Sequence, residues 1–270
     1  MIRTLSILDV PQALELSQLA GWNQTDRDWQ RVLLLEPEGC FCFEMNGRVV
    51  ATATAIRYER TLGWIGMVLT HPDFRRLGYA RQLMEHTVGW LRSAGMGAAK
   101  LDATATGAPL YSTLGFTVEC EVERWMRAPI GPVVAPYVPR YASFQLDQKA
   151  FGVPRKELMN MLREESWAGS PEMGFAVSRP GAKAAYFGPC IAANEVHARK
   201  FLDWFCSQHP EQDLFWDLLP ENRAAVALAE QAGFSVARKL VRMSLQLRTD
   251  LDVPKTDPFA YYALAGFEYG

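Results

Sequence analysis

No window of this 270-residue sequence approaches the roughly 18 consecutive apolar residues that a membrane span needs. Its opening, MIRTLSILDVPQALEL, lacks the uninterrupted apolar core of a secretory signal. Charge of one sign is also missing: 28 Lys and Arg stand against 30 Asp and Glu, a formal net charge of −2, with no basic run and no acidic tail. A nucleic-acid groove needs a concentrated cationic face, so neither nucleic acid nor a membrane is expected as a partner. Cysteine is scarce. The five cysteines, Cys40, Cys42, Cys120, Cys190 and Cys206, form no CxxC, and the four histidines fall at no ligand spacing near them. An odd, scattered set reads as reduced thiols in a cytoplasm rather than as disulfides or zinc ligands. No metal is expected.

What is present is a globular composition, 49% apolar and 11% aromatic, which is enough to bury a core. The first half alternates between helical and extended patterns. Helices are expected over 9–21 and 25–34, the first announced by Asp9 and Pro11. CFCFEM (40–45) and RVVATATAIRY (48–58) read as strands about an Asn46-Gly47 hairpin turn, whose positive φ angles suit those two residues. LGWIGMVLT (62–70) is a third strand. An apolar stripe of period 3.6 marks a helix over 77–94 that Gly95 can end. A strand at 100–104, a short helix at 109–114 and a strand over 116–127 follow. APIGPVVAPYVP (128–139) then holds four of the sixteen prolines, the composition of a stiff extended linker. Beyond it the pattern resumes: helices over 154–165, 194–207 and 222–232, strands over 173–178, 184–192, 213–218 and 234–247, and a closing aromatic segment, DPFAYYALAGFEYG, that reads as docked.

One stretch carries chemistry. In HPDFRRLGYARQL (71–83) a strand hands over to a helix through two arginines and a glycine. A helix N-terminus offers unpaired N–H groups and the positive end of the helix dipole, and both favour phosphate. Gly78 and Ala80 keep side-chain bulk low there, and Arg75 or Arg76 can add a charge-assisted contact. Alone, RxxGxA is also compatible with a solvated surface turn. Its context is more specific: strand, HPxxRxxGxA, helix, a strand with Leu101-Asp102-Ala103, then LYxxxGF from Leu110 to Phe116.

In that order these motifs resemble the GNAT superfamily of acyl-CoA-dependent N-acyltransferases, over about residues 1–127. The resemblance implies an α/β (α+β) fold, a mixed and mostly antiparallel sheet flanked by helices, and acetyl-CoA as co-substrate. It implies that the backbone of Leu77, Gly78, Tyr79, Ala80 and Arg81, with Arg75 and Arg76, holds the pyrophosphate. The free edge of the strand ending Leu69, Thr70 and His71, where two strands splay, would pair with the pantetheine arm, and a strand N–H near Leu69 would meet the tetrahedral oxyanion. Tyr111 matches the family's tyrosine: a phenol stays protonated at neutral pH and can protonate a departing thiolate. Asp102 or a chain of waters would deprotonate the amine; the family's asparagine between this strand and the tyrosine helix is missing from TATGAP (104–109). Acceptor contacts would come from Trp22, Asn23 and Trp64, each of which also reads as a packing residue. No cysteine lies in either motif, so direct attack in a ternary complex is expected rather than an acyl-enzyme. The acceptor is expected to be a small primary amine. A catalytically silent acyl-CoA sensor or scaffold is the alternative, and a homodimer is left open.

The domains are read as 1–127, a linker over 128–143, and 144–270. The second half echoes the first: setting Gly233-Phe234 on Gly115-Phe116 puts Ala229 where Tyr111 stands and Asp217 near the place of Asp102. NEVHARKFLDWF (194–205) has no glycine and no RxxGxA. The second half is therefore expected to be a degenerate GNAT-like domain without CoA that shapes the acceptor site. Removing residues 140–270 is expected to weaken acceptor recognition while sparing CoA binding.

Overall fold

The computed structural model describes residues 1–134, 136–141 and 145–270. The linker expected over 128–143 and the second domain expected from 144 lie partly outside the described residues, at positions 135 and 142–144. The first half runs β1 (Ile2–Thr4), α1 (Val10–Leu19), α2 (Asp26–Leu35), β2 (Cys40–Met45), β3 (Arg48–Tyr58), β4 (Leu62–Thr70), α3 (Tyr79–Ser93), β5 (Ala98–Thr104), α4 (Ala108–Thr113) and β6 (Thr117–Arg127). The second runs α5 (Gln145–Phe151), α6 (Lys156–Leu162), β7 (Ser166–Ser170), β8 (Gly174–Arg179), β9 (Ala185–Ala192), α7 (Glu195–Gln208), β10 (Leu214–Leu218), α8 (Arg223–Gln231), β11 (Ser235–Gln246) and β12 (Tyr261–Ala263). This is a mixed α/β fold, an open mixed sheet flanked by helices.

Local chemistry explains the boundaries. Asn46 and Gly47 adopt φ of 52° and 77°, which closes the β2–β3 hairpin. Thr25 opens α2 by accepting from the Asp28 N–H, while the Asp28 carboxylate accepts from the Thr25 N–H, a reciprocal capping box. In α3 the residues Leu83, Met84, Val88 and Leu91 form the buried stripe expected from the sequence. Strands β1, β7 and β12 and helix α5 were not foreseen; they are short, and β7, Ser-Trp-Ala-Gly-Ser, has no apolar alternation to reveal it.

The two halves share one sheet, in the order β1-β2-β3-β4-β5-β11-β6-β10-β9-β8-β7. They exchange their last strands. β11 of the second half lies antiparallel between β5 and β6, and β6 of the first half lies between β11 and β10. Each exchanged strand carries a buried arginine to an aspartate on the other half. Arg242 on β11 forks onto both oxygens of Asp102 at 2.8 and 2.9 Å, and Arg124 on β6 forks onto both oxygens of Asp217 at 2.7 and 2.6 Å. Removing one partner of such a pair strands a buried charge, at a cost of about 3–5 kcal/mol. Part of the proline-rich stretch is also tied down, since Pro139 and Tyr141 bond the backbone of Gly169 on β7.

Candidate functional site

The site begins where β4 and β5 part. They pair in parallel only from Leu62↔Ala98 to Trp64↔Lys100, although β4 continues to Thr70 and β5 to Thr104. On its other side β4 follows β3 to Thr70, but with an extra residue: Thr54 pairs with Gly66 and Thr52 with Leu69. This bulge falls at Met67, whose φ of 48° is uncommon for a residue with a side chain. The Thr52 hydroxyl donates to the Met67 carbonyl at 2.8 Å. In a trans peptide the carbonyl and the following N–H point in opposite directions. The Val68 N–H is therefore turned away from β3 and into the wedge.

At the top of the wedge β4 meets α3. His71, buried at 7% exposure, bonds Val50 O through its N–H at 2.8 Å, while its Nδ1 accepts from the Asp73 N–H at 3.2 Å and its Nε2 meets Arg48 at 3.0 Å. Its ring thus supports the turn. Gly78 caps α3 with φ +84° and no side-chain cap bond, so the first N–H groups of the helix meet no side-chain acceptor. Arg76 also has positive φ, 64°, and Arg75, Arg76, Leu77 and Gly78 are exposed. Arg75 Nε donates to Thr70 O at 3.3 Å, and Arg81 reaches Thr113 Oγ1 on α4 at 3.0 Å. Tyr79 packs its ring on Phe43, centroids 4.3 Å apart, and half-buried Ala80 follows it in the first turn.

Between β4 and β5 lies a cavity of about 70 Å³. Ile65, Gly66, Met67 and Val68 of β4 line one side, and Leu101, Asp102, Thr104 and Tyr111 another. Tyr111 is 8% exposed, its hydroxyl has no hydrogen-bond partner among the described residues, and burial pushes its phenol up to about 12. Asp102 borders the cavity, but both of its oxygens are taken by Arg242.

Of the three residues expected to meet an acceptor, only Trp22 lines this cavity. Asn23 clasps the second half instead: its Oδ1 accepts from the N–H groups of Lys183 and Ala184 at 2.9 and 3.0 Å, and its Nδ2 donates to Ala184 O at 3.0 Å. Trp64 is fully buried, donates to Phe267 O at 2.9 Å, and lies under the Arg242 guanidinium. The second half was expected to shape this site, and the individual residues of the remaining wall come from the structure. That wall consists of Gln24, Arg124 on β6, Arg238 and Leu240 on β11, and Phe267 and Glu268 from the closing segment. Glu268 did leave one signal, as the only charged residue in PFAYYALAGFEYG (258–270).

The second half has the same wedge, differently used. β9 and β10 pair in parallel only from Ala185↔Leu214 to Phe187↔Trp216. There β12 enters: Tyr261 and Ala263 pair with Ile191 and Cys190 of β9, whose other edge is held by β8. Leu264 N donates to Asp217 O at 2.9 Å, and Trp216 Nε1 to Tyr262 O at 2.8 Å. The protein's own strand fills the second wedge. The adjoining helix, α7, is capped by the Asn194 side chain on His197 N at 3.0 Å and has Glu195 in its first turn, both unfavourable to an incoming phosphate.

Among the described residues, no group of three or more His, Cys, Asp or Glu is placed to hold a metal, and no helix is long and apolar enough to cross a membrane. Comparison with known proteins gives two family matches: residues 8–116 match the Acetyltransferase (GNAT) family, and residues 143–253 match an Acetyltransferase (GNAT) domain. A search of curated proteins finds no match. Among solved structures, a candidate acetyltransferase from Pyrococcus horikoshii superposes with TM-score 0.82 at 20% identity, covering 100% of this chain and 95% of that one. A GCN5-related N-acetyltransferase from Sphaerobacter thermophilus gives 0.69 at 16% identity, covering 95% and 98%. A tandem GNAT protein from the clavulanic acid biosynthesis pathway gives 0.64 at 14% identity, covering 92% and 98%. At such identities the structures speak to the fold.

Proposed function

The chain belongs to the GNAT acetyltransferase superfamily, with two domains of that family in tandem, and from that premise we propose that its first half transfers acetyl from acetyl-CoA to a primary amine by direct attack in a ternary complex. One observation carries the reading. The Met67 bulge turns the Val68 N–H toward the cavity that Tyr111 lines, on the strand that leads into α3, whose N-terminus has a left-handed glycine and no side-chain cap. The residues fit an acyl-CoA. Residues 75–81 offer open backbone and arginines to a pyrophosphate, and the free edge of β4 from Ile65 to Thr70 offers peptide groups to the pantetheine amides.

When bound, acetyl-CoA supplies an electrophilic thioester carbonyl. The Val68 N–H is positioned to stabilise the oxygen on which negative charge develops. Tyr111, protonated and without a competing partner, delivers a proton to the leaving sulfur. Asp102 anchors β11 to β5 through Arg242 rather than taking a proton. The acceptor is a small molecule, a reading supported by the cavity's modest size and its walls of Trp22, Phe267 and Glu268, and by a sequence with no basic run for nucleic acid. The protein works in the cytoplasm, a reading its unpaired cysteines, four buried and Cys120 half-buried, support. The test is amine-dependent release of CoA thiol from acetyl-CoA across amino acids, amino sugars and polyamines. Tight CoA binding with no release for any amine would leave the silent sensor standing instead.

A further inference from the structure

A direct-attack transferase needs its amine neutral, yet a primary amine is an ammonium ion at neutral pH. Two carboxylates line the cavity, Asp102 and Glu268. Asp102 spends both oxygens on a bidentate buried arginine. Glu268 is held more loosely: its Oε2 accepts from Gln24 Nε2 at 2.9 Å, and its Oε1 lies 3.7 Å from Arg179 Nη1. Arg179 is itself shared, with Asp28 at 3.1 Å and with the Ala265 carbonyl. A carboxylate can accept about four hydrogen bonds, so Glu268 has capacity left.

Its position is set by two glycines. A Cβ on Gly66 would stand 2.9 Å from Glu268 Cα, and one on Gly266 would stand 2.7 Å from Glu268 Oε1. Gly66 immediately precedes the bulge at Met67, so the closing segment lies on β4 beside the peptide proposed to meet the oxyanion. Trp64 Nε1 to Phe267 O and Tyr58 OH to Tyr269 O, both 2.9 Å, fasten it there.

We propose that Glu268, delivered by the closing segment of the second half, is the general base of the first half's site, taking a proton from the acceptor's ammonium group directly or through one water. The proposal rests on the acetyltransferase reading above. The neutral nitrogen attacks the thioester carbon and the C–S bond breaks. Of the two protons the nitrogen gives up, one is received by Glu268 and passes to solvent. Tyr111 gives its proton to the departing sulfur, and the second proton, leaving the nitrogen as the amide forms, restores the Tyr111 phenol, so the net release is one proton to solvent. The surroundings suit a base. Burial raises the Glu268 pKa, and Arg179 and the Gln24 hydrogen bond oppose that rise. Asp28 also pushes it up; Arg124, Tyr58, Tyr186 and Tyr269 feel its charge, and Asp102 and Arg238 share the cavity with it. A base whose pKa approaches the working pH transfers protons most effectively.

The test compares two nucleophiles in the full chain: a primary alkylamine, protonated at pH 7, and hydroxylamine, which is already neutral. Glu268→Gln preserves shape and can still bond Gln24. It should lower CoA release with the alkylamine about 100-fold or more, change release with hydroxylamine less than about threefold, and leave CoA affinity unaltered. Equal losses with both nucleophiles would make Glu268 a structural residue and overturn the proposal. A wild-type chain inactive with both would overturn the transferase reading itself, and this role with it. Gln24→Leu gives a check that leaves Glu268 in place. Removing a donor to the charged carboxylate raises its pKa, so the acid limb of the alkylamine pH–rate profile should move to higher pH. An unmoved limb would count against Glu268 even if Glu268→Gln failed to fold.

Discussion

The two halves of this protein build the same wedge between parallel strands and use it in opposite ways. In the first half the edge of β4 beyond Trp64 has no strand beside it among the described residues, and the neighbouring helix starts at an uncapped, left-handed glycine. In the second, β12 lies in the wedge and the neighbouring helix is capped by Asn194. A splayed pair of strands exposes peptide groups that must be satisfied by something. A cofactor's amides can do it, and so can the chain itself. The segment that fills the second wedge then runs on to wall the first half's cavity with Phe267 and Glu268. Filling one wedge and walling the other half's cavity are thus properties of one stretch of chain.

The comparison can be broken most completely by separating the halves. A chain ending at residue 139 loses β11 from beside β5, and both neighbours of β6. The expectation raised by the sequence, that removal of residues 140–270 spares CoA binding, therefore gives way to another: such a piece should show no cooperative unfolding transition in urea. The next largest effects come from the exchanged-strand clamps. Asp102→Asn and Asp217→Asn should each lower stability by about 3–5 kcal/mol, measured by denaturant titration. The folded Asp102→Asn protein should keep most of its turnover; a loss well beyond the lost stability would restore Asp102 to the chemistry.

Turnover distinguishes the halves next. Tyr111→Phe should reduce it about 100-fold with CoA affinity intact, whereas Ala229→Tyr should leave the stoichiometry at one CoA per chain by calorimetry, because β12 occupies that wedge. The smallest effects lie at the helix starts. Gly78→Ala would make only an ordinary contact, 3.8 Å to Gln82 Nε2, but must hold φ +84°, at a cost of about 1–2 kcal/mol, and should weaken CoA binding. Asn194→Ala should cost about 1 kcal/mol and leave CoA binding unchanged.

Much of the first half was legible because its signals are local. The strands over 40–45, 48–58 and 62–70 and the helix of HPDFRRLGYARQL follow from side-chain period, an Asn-Gly turn and a helix-starting glycine, and all were found where expected. Except for α5, β7 and β12, the second half's strands and helices fell close to their expected bounds for the same reason, and the lack of RxxGxA was readable from NEVHARKF. The acceptor side was not legible. Asn23 and Trp64 carried plausible chemistry, yet their polar atoms are committed to Ala184 and Phe267, more than a hundred residues away in sequence.

By itself, then, the sequence determined the alternation of helix and strand, the helix-starting glycine at Gly78, the tyrosine of LYSTLGF, and the absence of RxxGxA and of a matching tyrosine from the second half. These depend on backbone preferences and periodicities that act within one or two turns of chain. Only the tertiary structure decided which strands became neighbours, that Asp102 would answer to Arg242, and that Glu268 would reach the first half's cavity. Those pairings join residues 140 and 244 positions apart, as Asp102 with Arg242 and Gln24 with Glu268. A contact across such a span is set by how two halves pack and exchange strands, and no local pattern encodes it.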